Sequence, residues 1–311
     1  MDISIIICTY NRCRSLETVL ESIQKLDIPP ALTWETLVVD NNSRDATRET
    51  VEKFTRFERR NITYIFEGRQ GKSHALNTGI AAAKGEILAF TDDDVTIDPS
   101  WLINIKKTFD TYDCAGIGGK IVPVFPGKKP YWVRTDSPFP YMNVLGSFDY
   151  GDECLEFQSP PYGANMAFRK TVFAVHGQFR TDLGPTEGNL LGKGEDSEIS
   201  LRLLKRGEKL RYVPDAVVYH RVQDEKLTKK SFQSYYFNYG RFRARTGCVE
   251  FPRNAVCYFG VPRFMFRILF RKYLDWVLSF DGKHRMTLKL DYYEFLGRIT
   301  EYMNSRKALQ P

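Results

Sequence analysis

Glu86-Ile87-Leu88-Ala89-Phe90-Thr91-Asp92-Asp93-Asp94 carries a short apolar run directly into three carboxylates. Bounded by Gly85 on one side and the acidic triplet on the other, this run predicts a buried strand over 86–90. Two carboxylates one residue apart on a strand end can divide the work of holding a ribose hydroxyl and a hard cation. Their oxygen ligands suit Mg²⁺ or Mn²⁺. The plainer alternative is a solvated acidic turn leading to Asp98, and placement at the end of an apolar strand favours the site.

Upstream, the same alternation repeats. Strands are expected at Ile3 to Cys8, Thr36 to Val39 and Ile62 to Phe66. Between them, Leu16, Val19, Leu20 and Ile23 recur at the spacing of one helix face, and further helices are expected at Ala46 to Phe54 and Ser73 to Ala83, with Gly85 as a C-cap. Downstream, Asp98-Pro99 reads as an N-cap followed by Pro, opening a helix over Trp101 to Phe109. Strands alternating with helices predict an α/β domain with a mainly parallel sheet. Such sheets bind ligands at the carboxyl ends of their strands, and three of those ends are polar here: Thr9-Tyr10-Asn11-Arg12, Asp40-Asn41-Asn42-Ser43 and the acidic triplet. Tyr10 can stack a base, Asp40 can accept hydrogen bonds from a base or ribose, and Lys72 can neutralise phosphate.

From Cys114 to Pro161 the helical period gives way to Gly, Pro and aromatic clusters at Tyr131-Trp132 and Phe139-Pro140-Tyr141, which suggests sheet with active-site loops. A helix over Ser197 to Leu204 and a strand over Leu210 to His220 follow. The chain has 311 residues, 42% hydrophobic, enough for one large domain at 1–222 and a C-terminal helical, basic and aromatic appendage at 223–311, with helical spacing over Tyr235 to Arg245. Six scattered cysteines without a CxxC pair read as reduced thiols. With no basic leader and no apolar run of about 18 residues, the expectation is a cytoplasmic, non-spanning protein.

The ordered segments Ser4 to Arg12, Val38 to Ser43, Gly71-Lys72-Ser73-His74-Ala75-Leu76-Asn77-Thr78-Gly79 and Phe90 to Asp94 resemble the signature of family 2 glycosyltransferases. The resemblance continues through Gly163-Ala164-Asn165-Met166, Gly194-Glu195-Asp196-Ser197-Glu198 and Val217 to His220, covering roughly the first 222 residues. It implies the GT-A nucleotide-sugar-binding fold and inverting transfer from a nucleotide sugar to a saccharide or lipid-linked acceptor. It further implies that Thr9, Tyr10, Asn11, Arg12, Asp40, Asn42, Lys72, Asn77, Asp92, Asp93 and Asn165 serve the donor. Asp94, with Asp92 and in some relatives a His at the position of His220, would hold the metal, and Asp93 can substitute. A histidine satisfied at a strand end is the other reading of His220.

Direct displacement needs a base on one face of the sugar and help for the leaving diphosphate on the other. The resemblance favours Asp196 as base with Glu195 or Glu198 positioning the acceptor; acids favoured in the first turn of a helix are the structural alternative. UDP-sugars are the first expectation for the donor, on family frequency. A polyprenyl-phosphate sugar synthase is the nearest alternative. The QxxRW motif and spanning helices of processive synthases are missing from the sequence, which favours single addition. A P-loop fails because Phe66 stands where its first Gly is required, and no GxGxxG follows the first strand. A nucleic-acid module, resting on Arg241, Arg243 and Arg245 around Phe242, is the reading of another class, and no nucleic acid is expected.

Between Arg241 and Arg285, ten Lys and Arg oppose Glu250, Asp275 and Asp281, matching the net +7 of the whole chain. Arg263, Arg267 and Arg271 repeat among Phe264, Phe266, Ile268, Leu269, Phe270, Leu274, Trp276 and Val277 in an expected helix over Arg263 to Phe280. Either this appendage lies on an anionic membrane surface, or its apolar face packs on the catalytic domain and the arginines face water.

Overall fold

The computed structural model describes residues 1–55, 61–130, 132–133, 144–156, 159–185, 194–245 and 256–307, with main chain alone at 282–283 and 305–307. Tyr131, Phe139 to Tyr141, Cys248 and Glu250 lie outside the described residues. The chain forms two compact units, residues 1–124 with 146–221, and residues 125–145 with 222–311. Residues 125–145, read with the first domain from sequence, group with the second unit.

In the first unit the elements run β1 (Ile3–Thr9), α1 (Cys13–Ile23), β2 (Trp34–Asp40), α2 (Thr47–Thr55), β3 (Ile62–Phe66), α3 (Lys72–Ala82), β4 (Ile87–Asp92), β5 (Val95–Ile97) and α4 (Trp101–Thr111). They continue as β6 (Gly116–Val124), β7 (Leu155–Glu156), β8 (Asn165–Arg169), α5 (Thr171–His176), α6 (Glu195–Lys205) and β9 (Leu210–Arg221). One mixed sheet has the order β3-β2-β1-β4-β8-β6-β9-β5, with β7 also paired to β9. Its β3-β2-β1-β4 half is parallel, and β8 is antiparallel to both of its neighbours. Five of the seven residues of β1 are fully or nearly fully buried apolar or small side chains (Ile3, Ser4, Ile5, Ile6 and Ile7), as expected of a strand covered on both faces. Phe90 on β4 packs edge to face with Phe173 and Phe179, carrying the core across to the far half.

Register brings the strand ends together. Thr9 stands opposite Asp40, Cys8 opposite Asp92, and Asp40 opposite Phe66, so the carboxyl ends of four strands form one edge. Thr91 faces Asn165 across the antiparallel seam, and Val95 faces His220, which delivers the end of β9 beside Asp94.

Two punctuation marks act differently from their expected roles. Gly85 does not cap α3, whose last turn is followed by Ala83 in an extended conformation. A Cβ at Gly85 would lie 2.4 Å from the Ser4 nitrogen, so glycine is required there by the close approach of the chain to β1. Asp98 lies three residues ahead of the helix start at Trp101, where Ser100 takes the N-cap position, and its Oδ1 accepts from the Ser100 amide and hydroxyl.

The second unit contains α7 (Lys229–Arg245), the hairpin strands β10 (Cys257–Tyr258) and β11 (Val261–Pro262), α8 (Arg263–Leu278) and the long α9 (Gly282–Lys307). Helices α7 and α9 touch at glycines: a Cβ on Gly240 would lie 1.8 Å from the Glu294 carbonyl oxygen, and one on Gly297 2.0 Å from that of Phe237. Beside this crossing, buried Glu301 pairs with Arg241 and Arg245, and buried Glu294 with Arg243 and Arg298. These arginines therefore meet internal acids, which removes the feature on which a nucleic-acid surface rested.

Candidate active site

Asp92 ends β4, and Asp93 and Asp94 form the turn into β5, so the three carboxylates meet different partners. Asp93 turns inward. Its Oδ2 accepts the Thr9 hydroxyl at 2.8 Å and its Oδ1 accepts Arg12 Nη1 at 3.0 Å. Burial pushes this carboxyl up to about 6, against the pull of Arg12. Asp93 thus ties the end of β1 to the end of β4, and both of its oxygens are engaged.

Asp92 and Asp94 are less deeply buried than Asp93. Asp92 Oδ1 accepts Lys72 Nζ at 2.6 Å. Burial disfavours both charges, yet Lys72 holds the Asp92 carboxyl below its ordinary range, and Asp92 with Glu195 holds the Lys72 ammonium well above its own. Lys72 is the first residue of α3. Its Nζ also lies 3.8 Å from Glu195 Oε1.

Asp94 is held from one side and open on the other. Its Oδ2 accepts the same Arg12 nitrogen at 3.0 Å, while its Oδ1 lies 3.6 Å from His220 Nε2, beyond hydrogen-bond distance. His220 is buried, and its Nδ1 has no hydrogen-bond partner among the described residues. A carboxylate oxygen and an imidazole nitrogen at this separation form a donor pair that a divalent cation can bridge, given bonds of about 2.1 Å each. Among the described residues no group of three His, Cys, Asp or Glu side chains can hold a metal alone. A cation of the Mg²⁺ or Mn²⁺ kind commonly takes one or two protein ligands and completes its shell with phosphate oxygens and water.

Across from the triplet, α6 begins at Glu195 behind Gly194, whose φ of 98° only glycine adopts without strain. Asp196 is partly exposed; its Oδ2 accepts the Gly163 amide at 2.8 Å and its Oδ1 the Ser197 amide at 2.7 Å. Glu195 is buried, and burial, then the neighbouring Asp196, push its carboxyl up to about 7 despite Lys72. Gly163 supplies an unexpected feature. A Cβ there would sit 3.4 Å from Lys72 Nζ and 3.5 Å from Asp196 Oδ2, so the missing side chain leaves room between cation and carboxylate.

Other expected donor residues are placed differently. Asp40 is buried, its Oδ1 accepting the Ser43 amide and its Oδ2 the Tyr64 hydroxyl. Asn165 is 1% exposed and its amide is fully engaged: Oδ1 accepts Trp101 Nε1, and Nδ2 donates to the carbonyls of Lys120 and Ala216. It holds the sheet together and does not face a ligand. Asn77 likewise exchanges two hydrogen bonds with the main chain of Phe179. Asn11 and Asn42 take positive φ values of 53° and 67°, and Asn11 locks two strand-end loops by donating its amide to Ser43 and accepting from Arg44. Tyr10 lies half-buried beside them. The residue missed in this region is Asn41, whose side chain bonds the carbonyls of Glu67 and Arg69 and the amide of Gly71, fixing the loop that leads to Lys72.

The profile described as glycosyl transferase family 2 matches residues 4–177, more than half of the chain. The glucosyl-dolichyl phosphate glucuronosyltransferase of Haloferax volcanii is 26% identical over 231 residues, 71% of this chain and 70% of the relative. Succinoglycan biosynthesis protein ExoM of Rhizobium meliloti is 25% identical over 240 residues, 75% and 73% of the two chains. Among solved structures, mannosyltransferase PcManGT from Pyrobaculum calidifontis, in complex with GDP-Man and Mn²⁺, aligns with 99% of this chain and 76% of its own at a TM-score of 0.58 and 18% identity. S. aureus TarS 1-349 in complex with UDP aligns with 100% of this chain and 92% of its own, at a TM-score of 0.53 and 17% identity. The mixed sheet is that of the GT-A fold, and the chain is a glycosyltransferase that belongs to family 2.

Proposed function

We propose that this enzyme moves a hexose from a nucleoside diphosphate donor, a UDP-sugar in the first instance, to a hydroxyl of a saccharide or lipid-linked acceptor, with inversion at the anomeric carbon. The observation that carries this reading is the space at Gly163, bordered by Lys72 on one side and Asp196 on the other. A sugar there would have a cation beside its leaving diphosphate and a carboxylate on the opposite face. Asp196 is the partly exposed carboxylate and takes the proton from the acceptor hydroxyl as the glycosidic bond forms. The Gly163 amide fixes the Asp196 side chain for that task. Buried Glu195 positions Lys72, and Lys72 with Arg12 supplies positive charge along the strand ends. Asp94 and His220, with Asp92 nearby, would hold Mn²⁺ or Mg²⁺, which would neutralise the departing diphosphate.

The relatives support donor and acceptor classes without fixing either. A name with glucosyl-dolichyl phosphate speaks for a lipid-linked acceptor in that relative, and succinoglycan biosynthesis for a polysaccharide in the other. A role in cell-surface polysaccharide synthesis accords with both names, and we propose with it a cytoplasmic placement peripheral to a membrane. The test is a thermal-shift screen of UDP-, GDP- and dTDP-sugars with Mn²⁺ and Mg²⁺, followed by turnover of the sugar that stabilises. Asp196→Asn should keep the donor-induced shift and lose turnover, because a general base acts in the transition state. Retained turnover would move the base to Glu195.

A further inference from the structure

The hairpin that precedes α8 breaks a local rule. Cys257 pairs with Pro262 and Tyr258 with Val261, leaving the two-residue loop Phe259-Gly260. Both loop residues have positive φ, 52° and 80°, as a two-residue turn of the type I′ kind demands. Asn-Gly is the ordinary choice there, and a bulky aromatic at positive φ is an outlier that surroundings must hold in place. Packing does not compensate this residue, since Phe259 is 76% exposed. The hairpin is anchored instead through Val261, which is fully buried with Met265, Phe295 and Ile299. One end is fixed, and the aromatic is presented at the other.

Helix α8 continues this surface. A narrow stripe of Met265, Phe266 and Leu269 packs within the second unit. Phe270, Leu274 and Leu278 remain exposed, and Phe280 just beyond the helix is completely so. Arg263, Arg267 and Arg271 are exposed among them at spacings of four, on the side turned away from the packed stripe. None of the helices among the described residues is long and apolar enough to cross a membrane. A protein seam over this face would have to supply acids for Arg263 and Arg267, since α8 itself offers only Asp275, whose Oδ2 lies 4.0 Å from Arg271 Nε. At an anionic bilayer they meet lipid phosphates while their stems and the neighbouring rings reach the acyl boundary.

We propose that the Phe259 turn and the outer face of α8 form an anchor that docks the enzyme on an anionic lipid bilayer, with Phe259 entering the acyl boundary and Arg263, Arg267 and Arg271 at the headgroups. This extends the peripheral placement proposed above, and its readouts are separate from donor chemistry. The probes are phosphatidylcholine vesicles with and without phosphatidylglycerol, in flotation at low and high salt. The full chain should float with the anionic vesicles and be released by salt. Phe259→Asn restores the residue that the turn prefers, so it should melt no lower than the wild type and yet partition roughly tenfold more weakly, the size expected for withdrawing one aromatic side chain from an apolar phase. Replacing the three arginines by Glu should abolish flotation. Nucleotide affinity measured without vesicles should stay that of the wild type in every variant. Three results would overturn the anchor: no flotation at low salt, unchanged partitioning of Phe259→Asn, or a wild-type dimer that Phe259→Asn converts to monomer without any vesicle binding.

Discussion

Replacing Glu195 by glutamine preserves its size and removes its charge. The side chain is 6% exposed, 3.8 Å from Lys72 Nζ, and directly follows the left-handed Gly194. Burial and Asp196 raise its carboxyl from 4.5 to about 7. Between those two values the unfolded chain has released the proton and the native chain retains it. Stability is therefore whole below about pH 4.5, falls as pH rises toward 7, and stays at the lower level above it. At about 1.4 kcal/mol for each pH unit, the gap corresponds to at most about 3 kcal/mol. Glutamine is neutral in both states, so Glu195→Gln should match the wild type near pH 4.5 and exceed it by up to about 3 kcal/mol at pH 8. Urea midpoints across that pH range, without nucleotide, measure the difference. The opposite order at pH 8, with the variant weaker, would show that Lys72 more than offsets the burial of the carboxylate and would refute the reasoning.

Asp94→Asn should abolish metal-dependent nucleotide binding in calorimetry with UDP and Mn²⁺, and an unchanged metal dependence would remove Asp94 from the metal site. Gly163→Ala places a methyl group at ordinary contact distance from Lys72 and Asp196, so melting should barely change while turnover falls at least about tenfold. Full activity would show that the reacting sugar lies elsewhere. Asn165→Ala leaves the Trp101 indole nitrogen and two carbonyls without their partner, a loss of about 3 kcal/mol in denaturant unfolding, with nucleotide affinity of the folded protein unaltered. Weakened nucleotide binding at full stability would return Asn165 to the donor site.

The parallel half of the sheet was legible because its strands are apolar runs separated by helices of clear period. The strand at 62–66 appears at its expected bounds, and those of β1, β2 and β4 shift by one or two residues. The far half was not. Strand β8 is five residues long with glycine and proline close ahead of it, and β5 has only three residues, so neither offers a period to read. Helix α9 escaped because its buried Met286, Leu290, Phe295 and Ile299 are interspersed with charged and tyrosine side chains, and because glycine at 297 serves a helix crossing. In the site, the sequence marked Lys72 for phosphate and did not foretell its contacts with Asp92 and Glu195. Asn77 and Asn165 look alike in sequence whether they face a ligand or a carbonyl. The use of Gly163 could not be read at all, since what matters is the volume it leaves empty.

The antiparallel seam between β4 and β8 has a consequence for how such a chain can diversify. The site residues from Thr9 to Asp94 lie at the ends of four parallel strands, in the loops after them and at the start of α3, whereas Gly163, Asp196 and His220 arrive on segments beyond the seam. The seam is held by main-chain bonding and by Thr91 reaching the Ala164 carbonyl, neither of which specifies a particular sugar. On the division of labour proposed above, with the donor on the early strand ends and the acceptor on the later segments, selection can rewrite the second set without the first, provided that the contacts joining them, Lys72 to Glu195 and Asp94 to His220, are kept.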